Sequence, residues 1–482
     1  MTTHHPAQPL KQPAQTVQHP VEPLRHPGEP VSNEIRRRLL EVEPHSIRTF
    51  TPSGAVLARS AGSYHWTPEG RKLADFTSGV LVMNLGHNPT RWWRRVHEYM
   101  GLNKMAEGGE FFESVTLNAY NAITDIETVC CERLVALLQS QPGGARCEQV
   151  LWAASGSEAV QKAMWAALDR REGEDIILST RHGFHGKKGL SNAITGSEAD
   201  KERDPRVRFI SFPREECMSL ERRRQPLDLA PYEAELQGLW EEYGSRICCV
   251  VTEPYLGGGG SFHPQKEYIQ LLERFCREHD VLFVLDEVQA NFGRTGSLFA
   301  FTEYGVEPDL VVLGKGLGNG VAVSAVVGRR DVFARMHYGE ASDTWSANPL
   351  ASAAVLATLD EFAEGDVLGH AALLSRVIEE GLLRLRESGA VAHVRGEGVV
   401  WGVECAPVGT TPADAVARMC VEACYRGDSE GRGVHLLGPL SGKVLRVSPP
   451  LVMPLEEARE YLGVMLERFS AVAQKLAGSH GH

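Results

Sequence analysis

The sequence predicts an α/β protein built on a mostly parallel sheet covered by helices on both faces, with a smaller α+β domain beside it. Three observations predict this. Between about 149 and 327, short apolar runs alternate with helical segments. Beyond about Asn348 the pattern changes to long helices with two short strands. At 482 residues the chain also exceeds what one hydrophobic core usually organises, so at least two domains are expected.

From the amino terminus, residues 1–33 are rich in Pro, His and Gln and poor in large apolar side chains. Such a stretch cannot bury enough surface to offset its ordering entropy, so a disordered tail is expected. Its histidines, among them His4, His5, His19 and His26, are read as solvated, and no metal site is assigned. A short helix follows over 34–43. Gly62, Tyr64, Trp66 and Glu69-Gly70-Arg71-Lys72 then resemble a hairpin leading into 73–76. Residues 77–89, from Thr77-Ser78-Gly79 to Leu85-Gly86-His87-Asn88-Pro89, form a loop of small residues of the kind that lines pockets. The segment 34–99 is assigned to the smaller domain.

The large domain is placed at 100–347. Its strands are expected at 149–154, 175–179, 207–212, 247–252, 281–285, 310–313 and 323–327, with helices at 157–171 and 266–279. Residues 348–482 return to the smaller domain, with helices over 350–364 and 368–387 and strands near 399–404 and 444–447.

Composition excludes several function classes. The formal charge of −12 argues against a general nucleic-acid or anionic-membrane binder and leaves small molecules as the expected partners. No stretch reaches the roughly 18 apolar residues of a membrane span. The first residues lack the apolar segment of a signal peptide, so a cytoplasmic protein is expected. The ten cysteines include the adjacent pairs Cys130-Cys131 and Cys248-Cys249 and one CxxxC, Cys420 to Cys424, but no zinc-site spacing. Reduced, buried thiols are the expectation.

Asp286 ends an otherwise apolar strand, and Lys315 follows the strand 310–313 between Gly314 and Gly316. Open α/β sheets bind ligands in the crevice outside the carboxyl ends of their strands. A lysine and a carboxylate meeting there supply what pyridoxal phosphate needs, an imine-forming amine and an anion that keeps the pyridine nitrogen protonated. Each alone has an ordinary explanation, a surface lysine or a structural ion pair. Ser155-Gly156-Ser157-Glu158-Ala159 opens a helix, where free N–H groups and the helix dipole attract a phosphate. By itself that motif reads more simply as Ser157 capping the helix, and it gains weight from the other two elements.

Together with Gly183-Phe184-His185-Gly186, Glu253-Pro254, Phe292-Gly293-Arg294-Thr295-Gly296, Pro308-Asp309 and Asn348-Pro349-Leu350-Ala351, these motifs resemble the class III aminotransferases of fold type I. They run in family order from about Gly62 to Leu451. The resemblance implies a seven-stranded type of sheet, pyridoxal 5'-phosphate as cofactor, and a homodimer with shared active sites. It implies that Lys315 forms the Schiff base and moves the proton, and that Asp286 holds the pyridinium. Gly156 and Ser157 would bind the phosphate, Phe184 and Val288 would bracket the ring, and Gln289 would bond its phenolic oxygen. Thr344 would reach the neighbouring subunit's phosphate, and Arg446 would hold a substrate carboxylate. Arg294 and His185 are read as structural.

Two positions depart from the glutamate-using branch. Lys187, followed by Lys188, stands where that branch has an arginine; it remains a point charge for substrate but lacks the bidentate fork. Leu256-Gly257-Gly258-Gly259 lacks the glutamate that would neutralise a carboxylate-binding arginine. The expected reaction is ping-pong transfer of an amino group from an amino acid or ω-amino compound to pyruvate or 2-oxoglutarate. A racemase, aminomutase or decarboxylase of the same fold is the runner-up, and a non-catalytic binding module the third reading.

Overall fold

The computed structural model describes residues 23–47 and 49–478. In chain order, the strands are β1 (Arg59–Ala61), β2 (Tyr64–Trp66), β3 (Lys72–Asp75), β4 (Gln149–Ala153), β5 (Ile176–Thr180), β6 (Val207–Ile210) and β7 (Ile247–Thr252). They continue with β8 (Leu282–Asp286), β9 (Leu310–Leu313), β10 (Ser324–Gly328), β11 (Val391–Glu397), β12 (Val400–Cys405), β13 (Gly433–His435) and β14 (Val444–Val447).

The central sheet has the order β4-β10-β9-β8-β7-β5-β6. All its pairs are parallel except the two made by β10, which runs against both β9 and β4. Because β10 reverses twice, β4 points the same way as β9. The carboxyl ends of β4, β5, β7, β8 and β9 therefore share one edge. Every residue of β5, β7, β8 and β9 is buried, which explains why these strands read as unbroken apolar runs without alternation. The covering helix Lys266–His279 buries Tyr268, Ile269, Leu272, Phe275 and Cys276 at helical spacing. It stops at Asp280, whose φ of 52° puts it in the left-handed region.

Two smaller sheets flank this core. One joins β11, β12 and β14, and the other has the order β1-β2-β3-β13. β13 pairs in parallel with β3, so the amino-terminal hairpin is completed by a strand from the far end of the chain. That strand, β11, and the carboxy-terminal helix Leu455–Gly478 were not anticipated from sequence. β13 is only three residues long and carries no pattern of its own.

The amino-terminal expectation needs correction. The first helix is Pro30–Val42, four residues earlier than expected, because proline sits naturally in a first helical turn. Residues 23–33 are tied down: a ring nitrogen of His26 lies 2.7 Å from the Ser53 carbonyl, and Glu29 pairs with Arg36 at 2.7 Å and Arg71 at 2.6 Å. The remainder of the expected tail, including His4, His5 and His19, lies outside the described residues. All ten cysteines are free thiols, and all but Cys131 are buried. Among the described residues no helix is long and apolar enough to cross a membrane.

The pocket-lining loop contains an unusual turn. Ser78, Gly79, Val80 and Leu81 have φ values of 49°, 58°, 68° and 62°. Left-handed helical geometry costs roughly 1–2 kcal/mol per non-glycine residue. The turn is held by Ser78 Oγ donating to the Ser448 carbonyl at 2.7 Å and by Arg294 Nη2 donating to Ser78 Oγ at 3.2 Å. Arg294 also donates to the carbonyls of Val399 and Pro449, the structural role expected of it. Burial brings its guanidinium down to about 10.

Candidate active site

The shared carboxyl edge of the central sheet gathers most of the anticipated residues. Asp286 closes β8 and is 4% exposed. Its Oδ1 accepts from the Val288 N–H at 3.0 Å, and its Oδ2 lies 2.7 Å from Nδ1 of His185. Burial alone would lower the imidazole's pKa, but the hydrogen bond and charge of Asp286 outweigh it and raise it. His185 is thus more than structural filler. It is a buried partner that orients the carboxylate, a role its place in the Gly-Phe-His-Gly motif did not disclose.

Lys315 lies two residues after the end of β9, half-buried, with φ 48°. A non-glycine residue in this conformation is uncommon, and such outliers concentrate at functional sites. The flanking glycines are required by packing. A Cβ at Gly314 would lie 2.7 Å from Ser324 Oγ, and one at Gly316 would lie 2.4 Å from Asn84 Nδ2. Burial, then the Arg446 guanidinium, bring the lysine amine down to about 7 against the pull of Asp286 and Glu253. An amine so placed is largely uncharged just above neutrality and able to attack a carbonyl.

Glu253, after β7, also belongs to this edge. Its carboxylate accepts from the Phe184 N–H at 2.8 Å and the Gly257 N–H at 3.2 Å. Burial raises it to about 7, with the His185 imidazole opposing and Asp286 adding to the rise. Sequence reading singled out Glu253 only as part of a motif; here it fixes the Phe184 loop.

The helix Gly156–Leu168 begins where β4 ends. Its cap is Ser155, whose side chain accepts from the Glu158 N–H, and not Ser157 as the simpler sequence reading had it. The Ser157 hydroxyl instead accepts from the Lys187 N–H at 3.3 Å. The first intrahelical bond is from Ala159 N–H to Ser155 O, so the N–H groups of Gly156 and Ser157 point outward from the first turn. A Cβ at Gly156 would meet Val288 Cγ1 at 3.0 Å, and one at Gly186 would fall 2.4 Å from Ser157 Oγ. These glycines make a side-chain-free cradle with donors on one wall, which fits a phosphate. Val288 backs the cradle, and Phe184 stands partly exposed on the loop after β5.

Arg446, on β14, is 3% exposed. Its Nη1 donates to Gln289 Oε1 at 3.1 Å, its Nε has no partner, and among the described residues no carboxylate pairs with it. Burial lowers its pKa, while Tyr255 and Glu253 pull the other way. A buried guanidinium lacking an internal anion is a receptor for an external one. The run 257–260 explains how it stays unpaired. A Cβ at Gly258 would lie 2.8 Å from the Phe184 Cβ, and one at Gly257 would lie 2.2 Å from Gln289 Oε1.

Two anticipated residues are not brought to this cluster. Lys187 is exposed, and among the described residues its ammonium has no ion-pair partner. Thr344 is also exposed, and its carbonyl accepts from Asn118 Nδ2 at 2.6 Å. The loop carrying Thr344 is anchored by buried Lys162, which donates to the Trp152 carbonyl at 2.7 Å and to Asp343 Oδ2 at 2.6 Å. Despite partial burial, the bonds from Lys162 and Ser346 hold the Asp343 carboxyl down at about 2. A cleft of about 730 Å³, lined by Cys131, Val135, Leu151 and Met336, contains none of these residues.

Comparison with known proteins points the same way. The family profile described as Aminotransferase class-III matches residues 48–469. The chain is similar to the acetylornithine aminotransferase of Caldanaerobacter subterraneus subsp. tengcongensis, 28% identical over 433 residues that cover 88% of this chain and 97% of that protein. It is 27% identical to the 4-aminobutyrate aminotransferase of Mycobacterium leprae over 449 residues, 90% of this chain and 95% of that one. The crystal structure of the ornithine aminotransferase from Toxoplasma gondii superposes with a TM-score of 0.75, covering 94% of this chain and 97% of that one; at 21% identity it speaks for the fold alone.

Proposed function

The chain belongs to the class-III aminotransferases, and from that premise we propose that Lys315, Asp286 and Arg446 are the groups with which it carries out transamination. It is a pyridoxal-phosphate-dependent enzyme that moves an amino group from an amino donor to an oxo acid. Nothing found favours a racemase, aminomutase, decarboxylase or non-catalytic reading.

The observation that carries the assignment is the convergence of a half-buried, pKa-lowered lysine, a buried oriented aspartate and a glycine-lined helix start on one sheet edge. Lys315 attaches the cofactor and carries the proton between the substrate carbon and the cofactor. Asp286, locked by His185 and the Val288 N–H, would hold the cofactor's pyridine nitrogen in its protonated form. Gly156 and Ser157 hold the phosphate with first-turn N–H groups, and Phe184 and Val288 bracket the ring. Gln289, already bonded to Arg446, bonds the phenolic oxygen and so ties the cofactor's position to the carboxylate receptor. When bound, the cofactor supplies an electron-accepting ring and stores the amine between two half-reactions.

Arg446 receives the substrate carboxylate. With glycine at 258 there is no internal glutamate to switch it off, so donor and acceptor both present a carboxylate to the same guanidinium. Pyruvate or 2-oxoglutarate fits as acceptor, and Lys187 contributes a solvated positive charge at the entrance. We read residues 34–99 and 348–482 as one small domain beside 100–347, supported by the pairing of β3 with β13.

A homodimer is proposed with Thr344 reaching the partner's phosphate site. Supporting this, Phe111, Ile123, Tyr338 and Trp345 are exposed in two segments that are joined by the Asn118–Thr344 bond and by Tyr120 Oη lying 3.3 Å from Ser342 Oγ. The free cysteines support the cytoplasm.

The experiment is a visible absorbance titration of the purified enzyme with α-, β- and ω-amino acids and simple amines, followed by oxo acids. Bleaching by a donor and recovery with one oxo acid are expected. Turnover that survives in Lys315→Ala would overturn the assignment.

A further inference from the structure

On the small sheet β1-β2-β3-β13 lies a second cluster of reactive side chains. His65 sits on β2, Asp75 ends β3 and His435 ends β13. The registers place them together: His435 is the direct partner of Asp75, and His65 is the partner of Leu73, two residues before Asp75 on the same face. One ligand atom from each of the three lies within 4.8 Å of the others. Asp75 is fully buried, as is the Nδ1 atom of His435, which has no hydrogen-bond partner.

We propose that His65 Nε2, Asp75 Oδ2 and His435 Nδ1 bind a divalent transition metal of the zinc class, as a clamp between the amino-terminal hairpin and β13. His65 Nε2 and Asp75 Oδ2 are 3.5 Å apart, long for a hydrogen bond. Two ligands each about 2.0–2.1 Å from one tetrahedral ion stand about 3.3 Å apart, so this pair is already near ligating distance. His435 supplies the third ligand, its Nδ1 being buried without a partner and a ligand atom of its ring lying within 4.8 Å of those of His65 and Asp75.

The surroundings match what ligands of this type require. The other ring nitrogen of His65 lies 2.7 Å from Ser60 Oγ, a partner that can accept from Nδ1–H and so leave the Nε2 lone pair for an ion. Asp75 Oδ1 accepts from the Thr77 N–H at 2.8 Å and the Thr77 hydroxyl at 2.7 Å, leaving Oδ2 for the ion. His87 Nε2 lies 2.7 Å from the same Oδ2, too close for both to ligate one ion, and so serves as an outer donor that fixes the carboxylate. Nothing in sequence spacing hints at this set, since His435 is far from the other two along the chain.

The test uses full-length holoenzyme, stripped by a chelator and titrated with Co²⁺ as a spectroscopic probe. One equivalent with the visible ligand-field bands of a low-coordinate nitrogen and oxygen site is expected, displaced by Zn²⁺. The bands are expected to vanish in His435→Leu and His65→Gln, with cofactor absorbance retained as the sign of folding. Should either variant fail to fold, Ser60→Ala removes only the outer bond to His65 and is expected to weaken Co²⁺ about 10- to 100-fold. Absence of the bands overturns the proposal, as does binding that is undiminished in His435→Leu, which would place the metal on the tail histidines. Unchanged affinity in Ser60→Ala also overturns it.

Discussion

Arg446→Gln separates the carboxylate receptor from the rest of the site. The guanidinium is buried, gives one N–H to Gln289, keeps Nε unpartnered and has no internal carboxylate. The only side-chain bond that Arg446 makes among the described residues is the one to Gln289, which a glutamine amide at 446 can replace, so the larger part of the lost activity reports on substrate binding. A substrate carboxylate gains two charge-assisted hydrogen bonds at about 1.5–3 kcal/mol each, and part of that is offset by desolvating the carboxylate. A net loss of about 3–4 kcal/mol corresponds to roughly 100- to 1000-fold in kcat/KM. Single-turnover stopped-flow, following cofactor absorbance, measures each half-reaction alone. Oxo acids and amino-acid donors are expected to lose that factor, while an amine donor without a carboxylate falls less than about tenfold. A loss below about fivefold for the oxo acid, or equal losses for both donor types, would refute the reasoning.

Lys315→Ala is expected to abolish turnover while the phosphate cradle still binds cofactor noncovalently, read by equilibrium dialysis against residual activity. The amine of Lys315 is lowered to about 7 by burial and then by Arg446, so it is free above that pH and protonated below. The rate of apoenzyme reconstitution should therefore climb tenfold per pH unit below about 7 and level above it; a rate still climbing at high pH would show an ordinary lysine. Gly258→Glu puts a Cβ 2.8 Å from the Phe184 Cβ, an overpacking of about 1–3 kcal/mol. Cofactor affinity should fall about tenfold or more by fluorescence titration, and unchanged affinity would show that Phe184 does not bracket the ring. Lys162→Met leaves Asp343 unpaired at a partly exposed position, costing about 1–2 kcal/mol, so the loop of Thr344 loosens. A fall in cofactor affinity together with a weaker dimer in sedimentation is expected.

The strands of the central sheet were legible because β5, β7, β8, β9 and β10 are buried along their whole length and must read as apolar runs. The place of Asp286 and Lys315 was legible for a related reason, since a charged residue ending such a run stands at the ligand edge of an α/β sheet. What stayed hidden rests on short or distant pairings. β13 has three residues, and only its register with β3 gives it meaning. The order of residues 23–33 was missed because ion pairs of Glu29 with Arg36 and Arg71 hold a segment whose composition reads as a tail.

The same division runs through the site. Local spacing pointed to Gly156, Ser157, Asp286 and Lys315 as candidates, because a helix start, a strand end and a glycine-flanked lysine are properties of neighbouring residues, whereas Phe184, Val288 and Gln289 came only from the family resemblance. By itself the sequence determined the sheet, its edge and the chemistry gathered there. Tertiary structure alone decided that Ser155 and not Ser157 caps the helix, that His185 orients Asp286, and that Arg446 meets Gln289 instead of a carboxylate. It alone brought His435 beside Asp75. These are relations between side chains on different elements, fixed by packing distances of a few ångströms that no pattern along the chain encodes.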